Sequence, residues 1–273
     1  MKILSVVPFC LVLATAAQAQ PVLLDVLARH GVQVPGKSLE AAFDAGAVAT
    51  VPLQPGSLAT PLAMLTAATG ADRIAAAYAF GILAGRSART TPPQELAAAG
   101  QVLLMMVASD DRRSRIAGAR VAGRVFAAPF DPRAVRPQVP AGLTDGLFAL
   151  MNQSGETEQL AAMDALGLIR ETQAVAALTE RYRFYREAGK RALAGGALEA
   201  LARIGDASSS ELVRQLVGDK FAEGNDPTML VVWFARERLL NDGSIAAIRE
   251  AAAGKRLAAQ ARGYLEELGP PIP

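Results

Sequence analysis

The sequence predicts an all-α protein, an α-solenoid of about six stacked antiparallel helix pairs, and three observations lead there. The first is a signature seen most cleanly at Ala197-Leu-Glu-Ala-Leu-Ala-Arg-Ile-Gly-Asp206, where the small Ala197 and Ala200 alternate with the large Leu201 and Ile204. That i, i+3, i+4, i+7 spacing sets all four on one helix face, and Gly205 supplies the left-handed turn that ends the helix. The second is recurrence. The pattern returns at Ala76/Ala79/Phe80/Leu83, Ala119/Ala122/Gly123/Phe126 and Ala162/Ala165/Leu166/Ile169, with looser copies at Val232/Ala235/Arg236/Leu239 and Ala261/Tyr264/Leu265/Leu268. Its second small position falls at 79, 122, 165, 200, 235 and 264, in steps of 43, 43, 35, 35 and 29. The third is that strand signals are nearly missing: Val48-Ala-Thr-Val-Pro-Leu53 is the best, and Pro52 breaks it.

Taken in order, residues 1–19 read as a secretory signal peptide. Lys2 is the positive region, Ile3 to Thr15 the apolar run and Ala17-Gln-Ala19 a small-x-small cleavage site before Gln20. Residues 20–57 carry Pro21, Pro35, Pro52 and Pro55 and leave room for short helices at Leu23–Arg29 and Leu39–Ala45, the second capped by Ser38. Residues 58–273 form the repeat domain. Thr60-Pro61 opens a helix that Gly70 closes, Asp72 caps the next and Gly85 ends it, and Thr91-Pro92 opens a third carrying Val102–Val107. Asp110 and Asp111 precede a helix over Arg112–Phe126, where negative charge meets the positive helix end. Pro129, Pro132, Pro137 and Pro140 then rule out helix and central strand, making 127–142 a Pro-rich insertion. Helices resume at Thr144–Asn152, Glu156–Arg170, Gln173–Glu187, Lys190–Ile204, Ser209–Val217, Pro227–Leu240, Ile245–Ala253 and Arg256–Leu268. Gly195-Gly196 lies inside one of them at a cost of roughly 1 kcal/mol per glycine. Either close contact with a neighbouring helix offsets that cost, or the helix kinks there.

Helix pairs at this spacing with the A-x-x-A-L-x-x-I-G-D signature resemble the HEAT-like repeat family, including its short-repeat branch first noted in phycobilin lyases. The resemblance covers about residues 70–273 and is best at 156–219. It implies a curved solenoid that acts as an interaction scaffold, or a lyase-like protein that handles a small molecule or chromophore. The uneven steps and the Pro-rich insertion depart from the family's regularity. The physical ground for stacking stands on its own, since one helix pair has a single apolar face that only neighbouring pairs can cover.

The totals narrow the function classes. A net charge of +2, one lower without Lys2, offers no bulk attraction to nucleic acid or to an anionic membrane. The longest apolar stretch after the signal is Val102 to Ala108, well short of the ~20 residues of a spanning helix. Cys10 is the only cysteine and lies in the apolar run after Phe9, where a lipid anchor needs a small residue. The mature chain therefore has neither a cysteine nucleophile nor disulfides.

Catalytic signatures fare poorly. Gly31-Val-Gln-Val-Pro-Gly36-Lys37-Ser38 matches a phosphate-binding P-loop formally, with Leu103 to Asp111 a loose acidic partner. The required strand before the loop reads as a helix, so the stretch is expected to be a turn that leads into the Ser38 cap. His30 is the only histidine. One imidazole builds neither a His-rich metal site nor the paired His-Glu iron motifs of the HEAT-like deoxyhypusine hydroxylases, and no G-x-S-x-G elbow accompanies it. The expectation is no catalysis, no metal and no cofactor.

Two basic surfaces remain as binding candidates. Arg181-Tyr182-Arg183-Phe184-Tyr185-Arg186 joins tyrosine and arginine, the residue types that anchor interfaces, with Tyr182, Tyr185 and Arg186 on one face. The competing reading packs Phe184 and one tyrosine into the core and lets the arginines reach water. The second surface aligns Arg113, Arg120 and Arg124, continued by Arg133 and Arg136, and suits an acidic peptide, an anionic polysaccharide or a lipid head group. A solvated helix face is its competing reading. The sequence thus points to a periplasmic or secreted scaffold that binds a protein or other macromolecule, with a second copy of the chain as a further candidate partner.

Overall fold

The computed structural model describes residues 19–54, 56–85, 92–129, 135–153, 155–216 and 227–269. The expected signal peptide, apart from Ala19, lies outside them. Fourteen α-helices are present among these residues, and no strand. They are α1 (Ala19–Arg29), α2 (Leu39–Asp44), α3 (Ala59–Ala67), α4 (Gly70–Ala84), α5 (Pro93–Val107), α6 (Arg112–Val125), α7 (Leu143–Gln153), α8 (Glu156–Ile169), α9 (Val175–Glu187), α10 (Arg191–Ile204), α11 (Ser210–Arg214), α12 (Pro227–Leu240), α13 (Ile245–Ala253) and α14 (Ala258–Leu268). Sequential partners pack as α3 on α4, α5 on α6, α7 on α8, α9 on α10, α11 on α12 and α13 on α14. The even helices also pack on one another in a row, α4 on α6 on α8 on α10 on α12.

Local chemistry sets most boundaries. Ser38 accepts from the Ala41 amide at 3.1 Å and Asp111 from the Ser114 amide at 2.8 Å, each satisfying a donor that the first helical turn leaves free. Gly205 takes φ 72° at the end of α10. The P-loop-like stretch folds as the expected turn, with Gly36 and Lys37 left-handed just before the Ser38 cap. Two boundaries differ from expectation. Gly70 does not close α3. Ala68 turns to extended backbone, and Gly70, at φ 53°, opens α4 instead. Asp72 then sits in the first turn of α4 rather than at its cap, where its charge still opposes the helix dipole. Thr60 lies inside α3, whose cap position is Leu58.

The signature residues form the seams of the row. Ala79, Ala122, Ala165, Ala200 and Ala235 are all fully buried. A methyl group at Gly123 would come within 2.7 Å of the Ala165 Cα, and one at Gly167 within 2.8 Å of the Ala200 Cα. Backbone meets backbone there, which only hydrogen or methyl side chains permit. Of the internal glycine pair, Gly196 faces Leu160 of α8 at 2.6 Å from a built Cβ, whereas a Cβ at Gly195 would meet nothing within 4 Å. Close contact therefore accounts for one of the two glycines.

The last copy of the signature behaves differently. Tyr264 stands where the others have alanine, and α14 touches α12 only lightly. It lies across the row: Tyr264 stacks on Phe234 of α12 at 4.2 Å, and Glu267 reaches Arg203 of α10 at 3.0 Å. The N-terminal segment packs on the first helices of the row, α1 on α3 and α4 and α2 on α4. The described part of the Pro-rich insertion also lies against the row, since the Ala128 amide donates to the Leu168 carbonyl at 2.8 Å and Pro140 covers Gly100.

Candidate functional site

The α9 candidates divide into buried and exposed sets. Tyr182 is 1% exposed and Tyr185 2%, so both are core residues, while Phe184 is 56% exposed. This reverses the expected placement, because the face shared by the two tyrosines is the inner one. The Tyr185 hydroxyl donates to Gln159 Oε1 at 3.1 Å, a polar partner supplied by α8 that makes the burial affordable. Arg181 donates to Asn152 Oδ1 at 2.8 Å and lies 6.0 Å over the Tyr185 ring, tying α9 to α7. Arg183 is exposed and Arg186 half-buried. What α9 offers to solvent is thus Phe184 with Arg183 and part of Arg186, on a base fixed by two buried tyrosines.

The α6 stripe is likewise mostly internal. Arg120 pairs with Asp44 and, at 3.7 Å, with Glu40, and lies 5.5 Å over the Phe43 ring. Arg124 stacks 3.7 Å over the Phe43 ring and donates to the Phe43 carbonyl at 2.8 Å. Phe43 also meets Tyr78 at 5.1 Å, and burial pushes the Tyr78 hydroxyl up to about 12. These arginines fasten α2 onto α4 and α6 by stacking and hydrogen bonds. Arg113 alone of the three is exposed. Arg133 lies outside the described residues.

Three further charged clusters escaped the sequence. Glu158, in the first turn of α8, is 2% exposed and accepts from Arg112 at 3.0 Å and Arg115 at 3.3 Å. Burial alone would raise its pKa, but these hydrogen bonds outweigh it and hold the carboxyl below the usual range. Arg203 of α10 gathers Asp164 of α8, Glu199 at 2.7 Å and Glu267 of α14 at 3.0 Å. Burial and the neighbouring Asp164 and Glu267 raise the Glu199 carboxyl despite Arg203, and Glu199 in turn accepts from the buried Tyr264 hydroxyl. The third cluster lies at the C-terminal ends of α8 and α12. Burial, then the charges of Arg238 and Arg136, brings the Arg170 guanidinium down to about 10, with Glu267 opposing.

Two cavities accompany these clusters. One of about 410 Å³ lies between α14 and the N-terminal end of the row, bounded by Ala45, Gly46, Gly85, Arg124, Arg262 and Glu266. The other, about 220 Å³, has Arg136, Val139, Ile169, Arg170, Glu171 and Thr172 among its lining residues. Among the described residues no group of three or more His, Cys, Asp or Glu side chains is placed to hold a metal ion. No helix there is long and apolar enough to cross a membrane. Comparison with protein-family models, with curated proteins and with solved structures finds no match to this chain.

Proposed function

We propose that this chain is an exported HEAT-like repeat scaffold that binds a macromolecular partner, most simply a protein, and carries out no catalysis itself. The observation that supports it is the row α4–α6–α8–α10–α12, with small-residue seams at α6–α8 and α8–α10 and an outer helix packed at each step. Stacking of this kind spends the chain on a long, rigid surface in place of a single deep site. On that surface the anchor is Phe184, an exposed aromatic flanked by Arg183 and Arg186, the combination that dominates interface energetics. The leader at 1–19 sends the chain to the periplasm or outside the cell, and a cut after Ala19 makes Gln20 the first residue of α1.

The test is affinity capture from the organism's own envelope extract, with wild type beside an Arg183→Ala/Phe184→Ala variant. A partner held by wild type and lost by the variant supports the reading and its site. A partner held equally by both moves the site elsewhere, and an empty wild-type bait removes the scaffold reading. The 410 Å³ cavity favours one second reading, a lyase-like small-molecule binder, because it falls in the size range of ligand sites. Native mass spectrometry of the purified protein, with and without endogenous ligand, separates the two.

A further inference from the structure

We propose that the outer face of α3, α5 and α7 is an interface at which two copies of this chain pair about a two-fold axis. The three helices lie side by side, α3 on α5 and α5 on α7, each backed by its inner partner α4, α6 or α8. The solvent side of a surface helix ordinarily carries its charged residues, and 20% of this chain is charged. Yet α3 has no charged residue, α5 has only Glu95 and α7 only Asp145, each in the first turn of its helix. The outward positions are small or uncharged instead. Ala59, Ala63 and Ala67 recur every fourth residue on α3, and Ala97, Gln101 and Met105 repeat that spacing on α5. All of them are exposed, Met105 at 54%. Ala149 continues the face on α7. The Thr66 hydroxyl donates to the Leu62 carbonyl of its own helix at 3.0 Å, which spends its donor locally. The next outer helix, α9, ends the neutral face with Glu180, Arg181, Arg183, Arg186 and Glu187.

Charge and area select a second copy as the occupant. A different protein is picked out by a pattern of opposite charge, and the middle of this face offers none. Two copies related by a two-fold axis present the same patch to each other. A patch that is neutral in its middle, with its only acids at helix starts, meets itself without repulsion. Absence of charge together with methionine is also what sets the centre of an interface apart from other surface. At 1.5 Å per residue and about 9 Å between axes, the three helices span about 500 Å² on each copy, or about 1,000 Å² in the pair. That reaches the ~1,000 Å² a specific interface requires, at its lower limit, so the dimer is a weak one with a Kd of about 1–100 μM. Alanines let helices approach closely, as Ala165 against Gly123 and Ala200 against Gly167 already do inside the row. Met105, unbranched and adaptable, fills the gap that remains. Phe184 is no part of this face, so the pairing holds or fails independently of the partner proposed for α9.

The test is analytical ultracentrifugation of the chain from Gln20 onward, over about 1–300 μM so as to span that Kd. Wild type should pass from monomer to dimer across the range. It should do so no less in high salt than in low, because apolar association is not screened. Gln101→Glu adds a charge and almost no change of shape in the middle of α5, and Met105→Glu also removes the apolar side chain. Each puts like charges into the face on both copies and should weaken pairing by more than about tenfold. Both positions are exposed, and glutamate suits a helix, so the circular dichroism of the variants should match wild type. Arg183→Ala/Phe184→Ala leaves the face intact and should pair as wild type does. A wild type that stays monomeric throughout overturns the proposal, including the case in which that monomer sediments with phosphatidylcholine vesicles and the face meets a membrane instead. Pairing that survives both glutamate variants overturns it, as does pairing that salt disperses or that is lost with Phe184.

Discussion

The seam between α8 and α10 gives a sharp test of how this protein is put together. A methyl group added at Gly167 would lie 2.8 Å from the Ala200 Cα, 3.2 Å from its Cβ and 3.4 Å from its carbonyl oxygen. Ordinary carbon contacts lie at about 3.5–4.0 Å, so α8 and α10 must part by about 1 Å, and backbone cannot rotate out of the way as a side chain can. Overpacking of this kind costs about 1–3 kcal/mol. Against it stands the helix-propensity gain of Gly→Ala, about 1 kcal/mol. Gly167→Ala should therefore destabilise by about 0–2 kcal/mol. Gly195→Ala is the internal control, about one turn into α10 and with nothing within 4 Å of the new methyl. It keeps the whole propensity gain and should raise the melting temperature by roughly 2–4 °C.

The measured quantity is the separation between the two melting temperatures by far-UV circular dichroism. Stacked arrays need not unfold in one step, which makes a difference between matched variants safer than an extrapolated free energy. Gly123→Ala should follow Gly167→Ala, because its methyl would come 2.7 Å from the Ala165 Cα. If Gly167→Ala is as stabilising as Gly195→Ala, the helices do not approach closely and the seams are not what joins the row.

Four other outcomes follow from the same contacts. Tyr185→Ala, which empties a core position, should cost about 3–5 kcal/mol, whereas Phe184→Ala should stay within about 0.5 kcal/mol; urea unfolding distinguishes them. Glu158→Gln should cost about 1.5–3 kcal/mol at neutral pH by weakening the bonds from Arg112 and Arg115. Because the folded state depresses this carboxyl, its contribution is present above the ordinary value of 4.5 and lost as pH falls, so the gap between wild type and variant should close in acid. Glu199 has the opposite sign. Its raised carboxyl makes the folded state hold the proton more tightly than the unfolded, so stability relative to Glu199→Gln should fall as pH rises above 4.5, in melting curves across pH. Arg124→Ala removes the 3.7 Å stack on Phe43 and should speed hydrogen exchange in α2 while leaving α8 and α10 unchanged.

Helix positions were legible because two independent signals agree at them. Period 3.6 marks the apolar face, and short polar or glycine caps such as Ser38, Asp111 and Gly205 mark the ends. α12 and α13 fall on the expected residues. Gly70 misled because left-handed glycine usually marks a helix end, and here it stands at the start of α4, at φ 53°. The face of α9 was legible in its pairing but not in its direction. Spacing puts Tyr182 with Tyr185, yet which side is inner depends on Gln159 in another helix, a partner that no local pattern reveals. The α6 arginines failed for the same reason: Arg120 and Arg124 align along their own helix, but Asp44 and Phe43, which take them inside, lie 76 and 81 residues earlier. The Arg203 and Arg170 clusters draw on helices far apart in the chain, so no spacing rule could assemble them.

Tyr264 shows how one residue ends a row. At the equivalent position Ala165 and Ala200 sit against a glycine of the preceding helix, at distances that leave no room for more than a methyl. A phenol ring there cannot enter the seam. It lies flat on Phe234 instead and sends its hydroxyl to Glu199, while Gln260 donates to it at 2.9 Å. With the seam closed to it, α14 turns across the row, where Glu267 joins the carboxylates around Arg203. Its opposite side, Ala259, Arg262, Gly263 and Glu266, then faces Arg124 and the end of α2 across the larger cavity. The two ends of the chain thus come to share one space. An additional stacked pair would instead have left the last apolar face open to solvent, and a helix array with an open end tends to add another copy of itself. A bulky aromatic in place of alanine thus keeps α14 out of the row by steric exclusion, while at the first helix of the row Phe43 packs between its arginines and Tyr78.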